Sequence, residues 1–346
     1  MDIGVGLDSS LSLSFDDQAV LSKEAARQGY TSVWTPEGTG QDSFQLCAQR
    51  WAASRDVVPD GLYTGIAVSP VMYRTPVAFA MSGGTLSELT NGRFIMGIGS
   101  GGAYRPASRK ALGLPRLSAL SLMRDYLTTI RTLVSGDTVD YEGPAVTMRG
   151  VKLGIDPSPR TPVYLGALGP EMLKLAGELA DGAALNWCAP EQIAWSRERI
   201  VEGAERIGRD SAEVKVVEYI RVCVDDDVEQ ARRAFTRSVM GYALGARVPT
   251  ERERALGYRG HFERMGFTDA LGELDVMRSR GASQDDLVEA FPRELLLRVG
   301  YYGPASGAAE AFGRLAEGLD TAIVRVVAAR PGMDSVRAVM EACRPD

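Results

Sequence analysis

The sequence predicts a closed (β/α)8 TIM barrel, and three observations support this fold. Short apolar segments alternate with amphipathic helical segments along most of the 346 residues. About eight such strands can be counted, and nearly every one is followed by a helix. The strands are apolar throughout, which is typical of strands that are buried on both faces. An open doubly wound sheet favours a Gly-x-Gly-x-x-Gly turn after its first strand, whereas this chain has Asp8-Ser9-Ser10 there.

The individual elements follow from apolar runs and from the residues that begin and end helices. The predicted barrel strands span residues 3–7, 32–35, 62–68, 94–98, 162–166, 182–185, 214–224 and 321–327. The helices between them begin at capping residues or prolines, and the first ends at Gly29. They are predicted at residues 16–28, 43–53, 75–89, 118–133, 170–179, 190–207, 306–319 and 334–343.

Two segments interrupt the alternation of strands and helices. Residues 137–155 show the period of two that is typical of a small hairpin, and residues 228–290 form a long, charged, helical region. We predict a single domain over residues 1–346, with both insertions at the carboxyl face of the barrel, where the βα loops lie.

The composition excludes several classes of protein. A net charge of -6 argues against nucleic-acid and anionic-membrane partners, and no apolar run approaches the roughly 20 residues of a membrane span. The four scattered cysteines form no Cys-x-x-Cys pair, so we expect buried free thiols. No signal-peptide pattern precedes the first strand, which favours the cytoplasm. With one histidine, a His-rich metal site is excluded, and we predict no metal.

Small residues follow two of the predicted strands, at the end of the barrel where ligands bind. One run is Gly99-Ser100-Gly101-Gly102, and the other is Gly166-Ala167-Leu168-Gly169-Pro170, which also begins a helix. Backbone amides at such turns bind phosphate well. The alternative is that each run is a tight turn that needs glycine. Two such turns on one barrel favour the phosphate site.

Further candidates lie beyond other strand ends. Ile66, Ala67 and Val68 lead into two prolines, which indicates either a plain loop or a strained platform behind a flat ring. Glu37 and Asp42 follow the second strand, and either is a candidate proton donor or acceptor, although solvated loop acids are more common.

Aromatic and basic side chains complete the candidate set. Trp187 follows the strand 182–185 and either stacks on a ring or substrate or belongs to the core. Tyr104 and Arg105 follow the first glycine run, where Arg105 is a candidate for binding an anionic group of the substrate. The charged stretch 247–264 is interpreted as a solvated helical face, and its His261 as exposed and non-catalytic.

Several loose motifs occur together in a specific order and spacing. They are residues 31–37 (TSVWTPE), 74–76 (RTP), 86–101 (LSELTNGRFIMGIGSG), 123–127 (MRDYL) with 141–143 (YEG), 166–170 (GALGP), and 175–182 (LAGELADG) with Asn186-Trp187. Together they resemble the bacterial luciferase-like superfamily of flavin- and deazaflavin-dependent oxidoreductases, and the resemblance covers most of the chain.

The resemblance implies a (β/α)8 barrel that binds a flat redox cofactor at its carboxyl face. It implies a non-proline cis peptide at Ile66–Ala67, give or take one residue, as a bulge behind the ring of the cofactor. It also implies that residues 99–102 and 166–170 hold the ribityl phosphate. Members of the family commonly form dimers, and we expect a homodimer.

The motifs look more like the branch that uses the deazaflavin coenzyme F420, similar to methylenetetrahydromethanopterin reductase, than the branch of FMN-dependent monooxygenases. The chain departs from the F420 branch at Gly38, where many members have a histidine, and at Gly102, where an acidic residue is frequent.

The resulting hypothesis is an F420-dependent oxidoreductase acting on a small-molecule substrate. Hydride passes between the deazaflavin C5 and an electrophilic carbon of a C=N, C=C or C=O group, and Glu37, Tyr104 or a water handles the proton. The alternatives are an FMN-dependent monooxygenase and a cofactor-free barrel that acts as a binding or subunit protein.

Overall fold

Eight parallel strands close into a barrel in this structure, a computed structural model that describes residues 1–102, 109–110 and 116–345. The strands in chain order are β1 (Asp2–Gly6), β2 (Ser32–Thr35), β3 (Tyr63–Pro70), β4 (Phe94–Gly99), β5 (Val139–Glu142), β6 (Thr147–Val151), β7 (Val163–Gly166), β8 (Gly182–Asn186), β9 (Lys215–Val224), β10 (Gly300–Gly303) and β11 (Thr321–Val326). The barrel order is β1-β2-β3-β4-β7-β8-β9-β11, and β11 pairs back onto β1. The predicted barrel fold is confirmed.

Helices connect the barrel strands, and most of them cover the barrel from outside. They are α1 (Phe15–Arg27), α2 (Ser43–Ser54), α3 (Pro76–Leu89), α4 (Ala119–Val134), α5 (Pro170–Leu179), α6 (Pro190–Glu205), α7 (Val228–Ala243), α8 (Glu251–Leu256), α9 (Tyr258–Phe262), α10 (Thr268–Ser279), α11 (Gln284–Ala290), α12 (Arg293–Leu296), α13 (Ala308–Leu315) and α14 (Met333–Ala342). Ser14 caps α1 through a reciprocal bond with Asp17, and Pro76 occupies the first turn of α3.

Both faces of the barrel strands are buried, which explains why their sequences do not alternate. Inside the barrel, Trp34, Tyr164, Val217, Tyr219 and Ile323 pack together. The intervening residues of the same strands face the helices in a larger core. A strand between two apolar layers needs apolar residues at every position.

The hairpin was predicted at the carboxyl face, and the structure corrects this placement. Strands β5 and β6 are an antiparallel pair, but they connect the end of α4 to the start of β7, so they enter from the amino-terminal side. The hairpin folds back along α4, where the Asp125 carboxylate accepts bonds from Tyr141 Oη at 2.7 Å and from the Val146 amide at 3.1 Å.

The second insertion lies at the carboxyl face, as predicted, because it follows the carboxyl end of β9. It consists of the helices α7 to α12 and ends in β10, which the sequence analysis did not predict. Strand β10 pairs with the last four residues of β9, beyond the point where β8 ends.

The four cysteines are free and buried, as predicted. Among residues 1–102, 109–110 and 116–345, no helix is long and apolar enough to cross a membrane. Within the same ranges, no group of three or more His, Cys, Asp or Glu side chains could hold a metal ion.

Candidate active site

A bulge in β3 forms a platform at the mouth of the barrel. Pairing between β3 and β4 is irregular between Ile66 and Ser69, and the Ala67–Val68 peptide is cis. The bond was expected at Ile66–Ala67 with a tolerance of one residue, and it lies one residue later. Ala67 and Val68 are partly exposed, so they form the accessible surface of the bulge. Ile66 was predicted to contact the cofactor, but its side chain is buried in the outer core instead.

Three glycines on the neighbouring strands make room for this bulge. A Cβ added at Gly99 would lie 2.6 Å from Val68 Cγ2, and one added at Gly166 would lie 3.1 Å from the same atom. At Gly97 an added Cβ would lie 2.1 Å from the Ile66 carbonyl oxygen. Real side chains do not approach as closely as the contacts at Gly97 and Gly99, and the contact at Gly166 would be tight, so the platform protrudes into the barrel because these positions carry no side chain.

An ion-pair network fixes the base of the platform. The Glu37 carboxylate is buried and accepts bonds from both Arg74 terminal nitrogens, with Nη2 to Oε1 at 2.7 Å. It also accepts a bond from Ser69 Oγ and one from the Ser43 amide at 3.2 Å. Arg74 bonds Asp42 as well. Both acids that were considered as proton donors are therefore committed to one guanidinium.

The network connects directly to the bulge. The Glu37 amide donates to the Val68 carbonyl at 3.2 Å, and the Arg74 guanidinium lies 4.9 Å from the ring centroid of Phe44. These contacts favour a role for Glu37 in positioning the bulge over a role in proton transfer. Arg74 was not among the predicted site residues, although the Arg-Thr-Pro motif at 74–76 offered a signal.

The turn after β7 has the features of an anion site. Helix α5 begins at Pro170, and no side chain caps its amino terminus at Gly169. Gly169 is partly exposed and borders open space, since an added Cβ there would meet no atom within 4 Å. Ala167 is buried, so this turn offers its backbone rather than that side chain. Arg264 brings a cation to the turn, where its Nη2 donates to the Leu168 carbonyl at 2.8 Å.

The glycine run after β4 also reaches the mouth of the barrel. Ser100 and Gly102 are partly exposed and Gly101 is exposed. Gly101 has a φ of 57°, and an added Cβ would lie 2.4 Å from Pro70 Cβ, so this position needs glycine for packing alone. Tyr104 and Arg105 lie outside the described residues.

Trp187 belongs to the core rather than to an open pocket. Its side chain is fully buried against Phe235 and Phe262, and its backbone φ is 59°. The Arg221 guanidinium lies 3.8 Å from the centroid of its ring. The structure therefore favours the alternative that Trp187 belongs to the core over the predicted contact of Trp187 with substrate.

His261 was expected to be exposed, and this expectation is wrong. The side chain is 1% exposed, and its Nε2 lies 2.9 Å from the Trp187 carbonyl oxygen and 3.9 Å from Cys188 Sγ. Burial lowers the pKa of His261 to about 4 and raises that of Cys188. Both groups are neutral near pH 7, so the pair is not an activated nucleophile. The stretch 247–264 is only partly solvated, because Phe262 is buried too.

A second polar group lies on the opposite side of the barrel from the bulge. Strand β9 is four strands away from β3 in either direction. It carries the inward-facing Tyr219 and Arg221, and β11 places Arg325 beside Arg221. Arg221 is 3% exposed and Arg325 is 6% exposed. Arg325 forms an ion pair with Asp8, which follows β1. The sequence analysis did not identify these residues, because each stands within or next to an apolar strand.

The fold and the mouth of the barrel define a member of the luciferase-like class of barrels. A family model described as luciferase-like monooxygenase matches residues 3–321, and the chain belongs to that family.

Among the relatives, the chain is similar to two 5,10-methylenetetrahydromethanopterin reductases. It is 33% identical over 190 residues to that of Archaeoglobus fulgidus, covering 55% of this chain and 56% of the relative. It is 29% identical over 213 residues to that of Methanolobus tindarius, covering 62% and 63%. The chain therefore aligns with less than two thirds of either relative.

A solved structure, the coenzyme F420 dependent tetrahydromethanopterin reductase from Methanopyrus kandleri, matches with a TM-score of 0.76 and 21% identity. The match covers 99% of this chain and 96% of that one. At this identity the similarity establishes the fold.

Proposed function

We propose that this protein is an oxidoreductase that uses coenzyme F420 and transfers hydride between the deazaflavin C5 and an electrophilic carbon of a small organic substrate. The reducible group is a C=N, C=C or C=O bond. The observation that carries the proposal is the bulge at Ala67–Val68, set against glycines on β4 and β7. The name of a relative in Mycobacterium tuberculosis, a putative coenzyme F420-dependent oxidoreductase that is 28% identical over 295 residues, supports F420 as the cofactor.

The residues present fit a flat cofactor with an anionic tail. Ala67 and Val68 would support the ring, and the uncapped amino terminus of α5 after Gly169 would bind a phosphate with its backbone amides. Arg264 adds positive charge beside that turn. The deazaflavin supplies hydride chemistry when bound, and the protein supplies position and electrostatics.

The protein's own contribution is orientation of the reactants. The Glu37–Arg74 network braces the platform, because Glu37 bonds both Arg74 and the Val68 carbonyl, so the platform would orient a bound ring against the substrate. Since Glu37 and Asp42 are committed to Arg74, we assign the proton to Tyr104 or to a water. The buried thiols support a reducing compartment, which agrees with a cytoplasmic enzyme.

Anaerobic titration of the purified chain with F420 and with FMN tests the proposal. We expect the fluorescence of F420 to change on binding and to reach saturation. The dissociation constant should be lower for F420 than for FMN. The variant Gly169→Asp, which places a carboxylate beside the expected phosphate, should weaken F420 binding about tenfold or more. Gly154→Asp is the control, because Gly154 also borders open space but follows the hairpin, away from the mouth of the barrel. Absence of F420 binding would exclude this function.

The second candidate is an FMN-dependent monooxygenase, which the description of the family model favours. Tighter binding of FMN than of F420, together with oxygen consumption by the chain with reduced FMN, would select this alternative. Binding of neither cofactor would favour a cofactor-free barrel.

A further inference from the structure

The mouth of the barrel contains buried hydrogen-bond donors that have no acceptor. Arg325 Nη1 and Tyr219 Oη are both buried, and neither has a hydrogen-bond partner among the described residues. The Arg325 guanidinium lies 4.8 Å from the centroid of the Tyr219 ring, so the two donors belong to one cluster. Buried donors without acceptors are costly, and in native proteins they mark a position that another polar group occupies.

The charge of this cluster is positive. Arg325 pairs with Asp8, but Arg221 has no carboxylate within 4.0 Å among the described residues; its Nη1 donates to Asn186 Oδ1 and to the Tyr219 carbonyl. Positive charge therefore exceeds negative charge among these side chains, and the buried Arg50, which donates to two carbonyls and to Gln18, adds to it. A buried charge without a counter-ion is unfavourable, so an anion is the complementary occupant.

Tyr219 can act only as a hydrogen-bond donor to such an anion. Burial raises its pKa, so the hydroxyl keeps its proton near pH 7. A phenol O–H with one guanidinium N–H matches the two oxygens of a carboxylate.

The position of the cluster connects it to the substrate rather than to the cofactor. Tyr219 and Arg221 are on β9, four strands from the β3 platform in both directions around the barrel, and the two glycine turns follow β4 and β7. A ligand bound by this cluster would therefore reach across the mouth toward the platform.

We propose that the substrate of this protein is a small organic acid, whose carboxylate is bound by Arg325 and Tyr219 while its reducible carbon faces the platform. This proposal rests on the function proposed above. Arg221 supplies the positive potential, and Asp8 holds Arg325 in place.

Isothermal titration of the F420-loaded chain with crotonate and benzoate, each compared with its amide, tests the proposal. Each acid has nearly the shape of its amide, so a difference in affinity reports the charge. We expect each acid to bind at least tenfold more tightly than its amide, since a hydrogen bond to a charged group contributes this much. Equal affinity of acids and amides would overturn the proposal, and so would preferential binding of inorganic phosphate.

Two variants locate the binding site. Tyr219→Phe keeps the ring, removes the hydroxyl, and should lower the affinity for the acids about tenfold without changing that for the amides. Tyr164→Phe is the matched control, because Tyr164 is also buried inside the barrel but near the amino-terminal ends of the strands. If both variants retain the acid preference, the cluster is not the site.

The same titrations on the chain without cofactor separate this proposal from the previous one. Acid preference without F420 binding would contradict the function proposed above while supporting the carboxylate site. F420 binding without a preference for acids would support the function proposed above and contradict the carboxylate site.

Discussion

Val68 and the glycines that face it determine the shape of the barrel mouth at the scale of single residues. The side chain of Val68 borders the space that side chains at Gly99 and Gly166 would need, and the Ile66 carbonyl occupies the space at Gly97. Each glycine was recognisable in the sequence as a small residue at or near a strand end. Its role as space for a bulge was not, because that role depends on β3 lying beside β4.

Adding one methyl group at Gly99 should displace the platform. In Gly99→Ala the new Cβ would lie 2.6 Å from Val68 Cγ2, and such overpacking costs about 1–3 kcal/mol of stability. We expect weaker F420 binding together with a lower free energy of unfolding, measured by fluorescence titration and urea denaturation. Gly154→Ala adds the same group in open space outside the site and should change neither quantity. Unchanged F420 affinity in Gly99→Ala would show that the bulge does not contribute to cofactor binding.

The Glu37–Arg74 pair gives a second prediction for single residues. The Glu37 side chain is 4% exposed and that of Arg74 is 16% exposed, and breaking a buried pair costs about 3 kcal/mol. Glu37→Gln should therefore lower the free energy of unfolding measured in urea by about this amount and weaken cofactor binding. The pH dependence of turnover should keep its shape. Asp60→Asn, which removes an ion pair with Arg93 whose aspartate is 75% exposed, is the control. If Glu37→Gln instead loses one ionisation from the pH profile of turnover while its stability is unchanged, Glu37 is the proton donor.

At the scale of single elements, strand β9 places polar side chains both inside the barrel and in the layer between the barrel and the helices. Tyr219 and Arg221 face the inside of the barrel, whereas Glu218 faces outward, where its Oε1 accepts a bond from the Cys188 amide. A polar residue within an apolar run is a signal that sequence analysis can use. In this chain the signal is masked, because the run Lys215–Val224 as a whole has the pattern of a buried strand.

Glu218 should make the stability of the fold depend on pH. Burial raises its pKa to about 8, whereas that of an unfolded glutamate is about 4.3. Between these values the folded chain binds one more proton than the unfolded chain, so stability falls as pH rises. The contribution is at most about 1.4 kcal/mol per pH unit. Glu218→Gln should remove this component when urea denaturation is compared at pH 5.5 and pH 7.5.

The control for this measurement is Glu317→Gln, which changes an exposed glutamate and should retain the slope of the unmodified chain. Identical slopes in Glu218→Gln and the unmodified chain would show that Glu218 is ionised in the folded state.

The elements that the sequence predicted and those that it missed differ in length and in context. The eight barrel strands were predicted because apolar runs between helices are distinctive. Strand β10 has four residues, Gly-Tyr-Tyr-Gly, and forms only because β9 extends beyond β8. The position of the hairpin depends on the direction of α4, and the burial of His261 depends on contact with residues after β8. Such tertiary relations leave no periodic pattern in the chain.

At the scale of the whole molecule, the homodimer that the family resemblance implies stays a prediction, and we place its interface on α3. Met81 is 55% exposed and Leu89 is 53% exposed on this helix. Large apolar side chains at an interface would be removed from water. We expect sedimentation equilibrium to show a dimer, and Met81→Glu to shift it toward monomer.

Leu256→Glu is the control for this prediction, because Leu256 on α8 is exposed to a similar extent, 51%, at a distant place in the fold. A monomer in the unmodified chain, or equal effects of the two substitutions, would contradict an interface on α3.

The contact between Val68 and the glycines on β4 and β7 also constrains how this protein can evolve. The positions 68, 97, 99 and 166 share one small volume inside the barrel. A descendant that acquires a side chain at 99 must first shrink residue 68 or lose the platform. Substitutions at these positions should therefore be correlated. Replacement of Val68 by a smaller residue should precede the gain of a side chain at position 99.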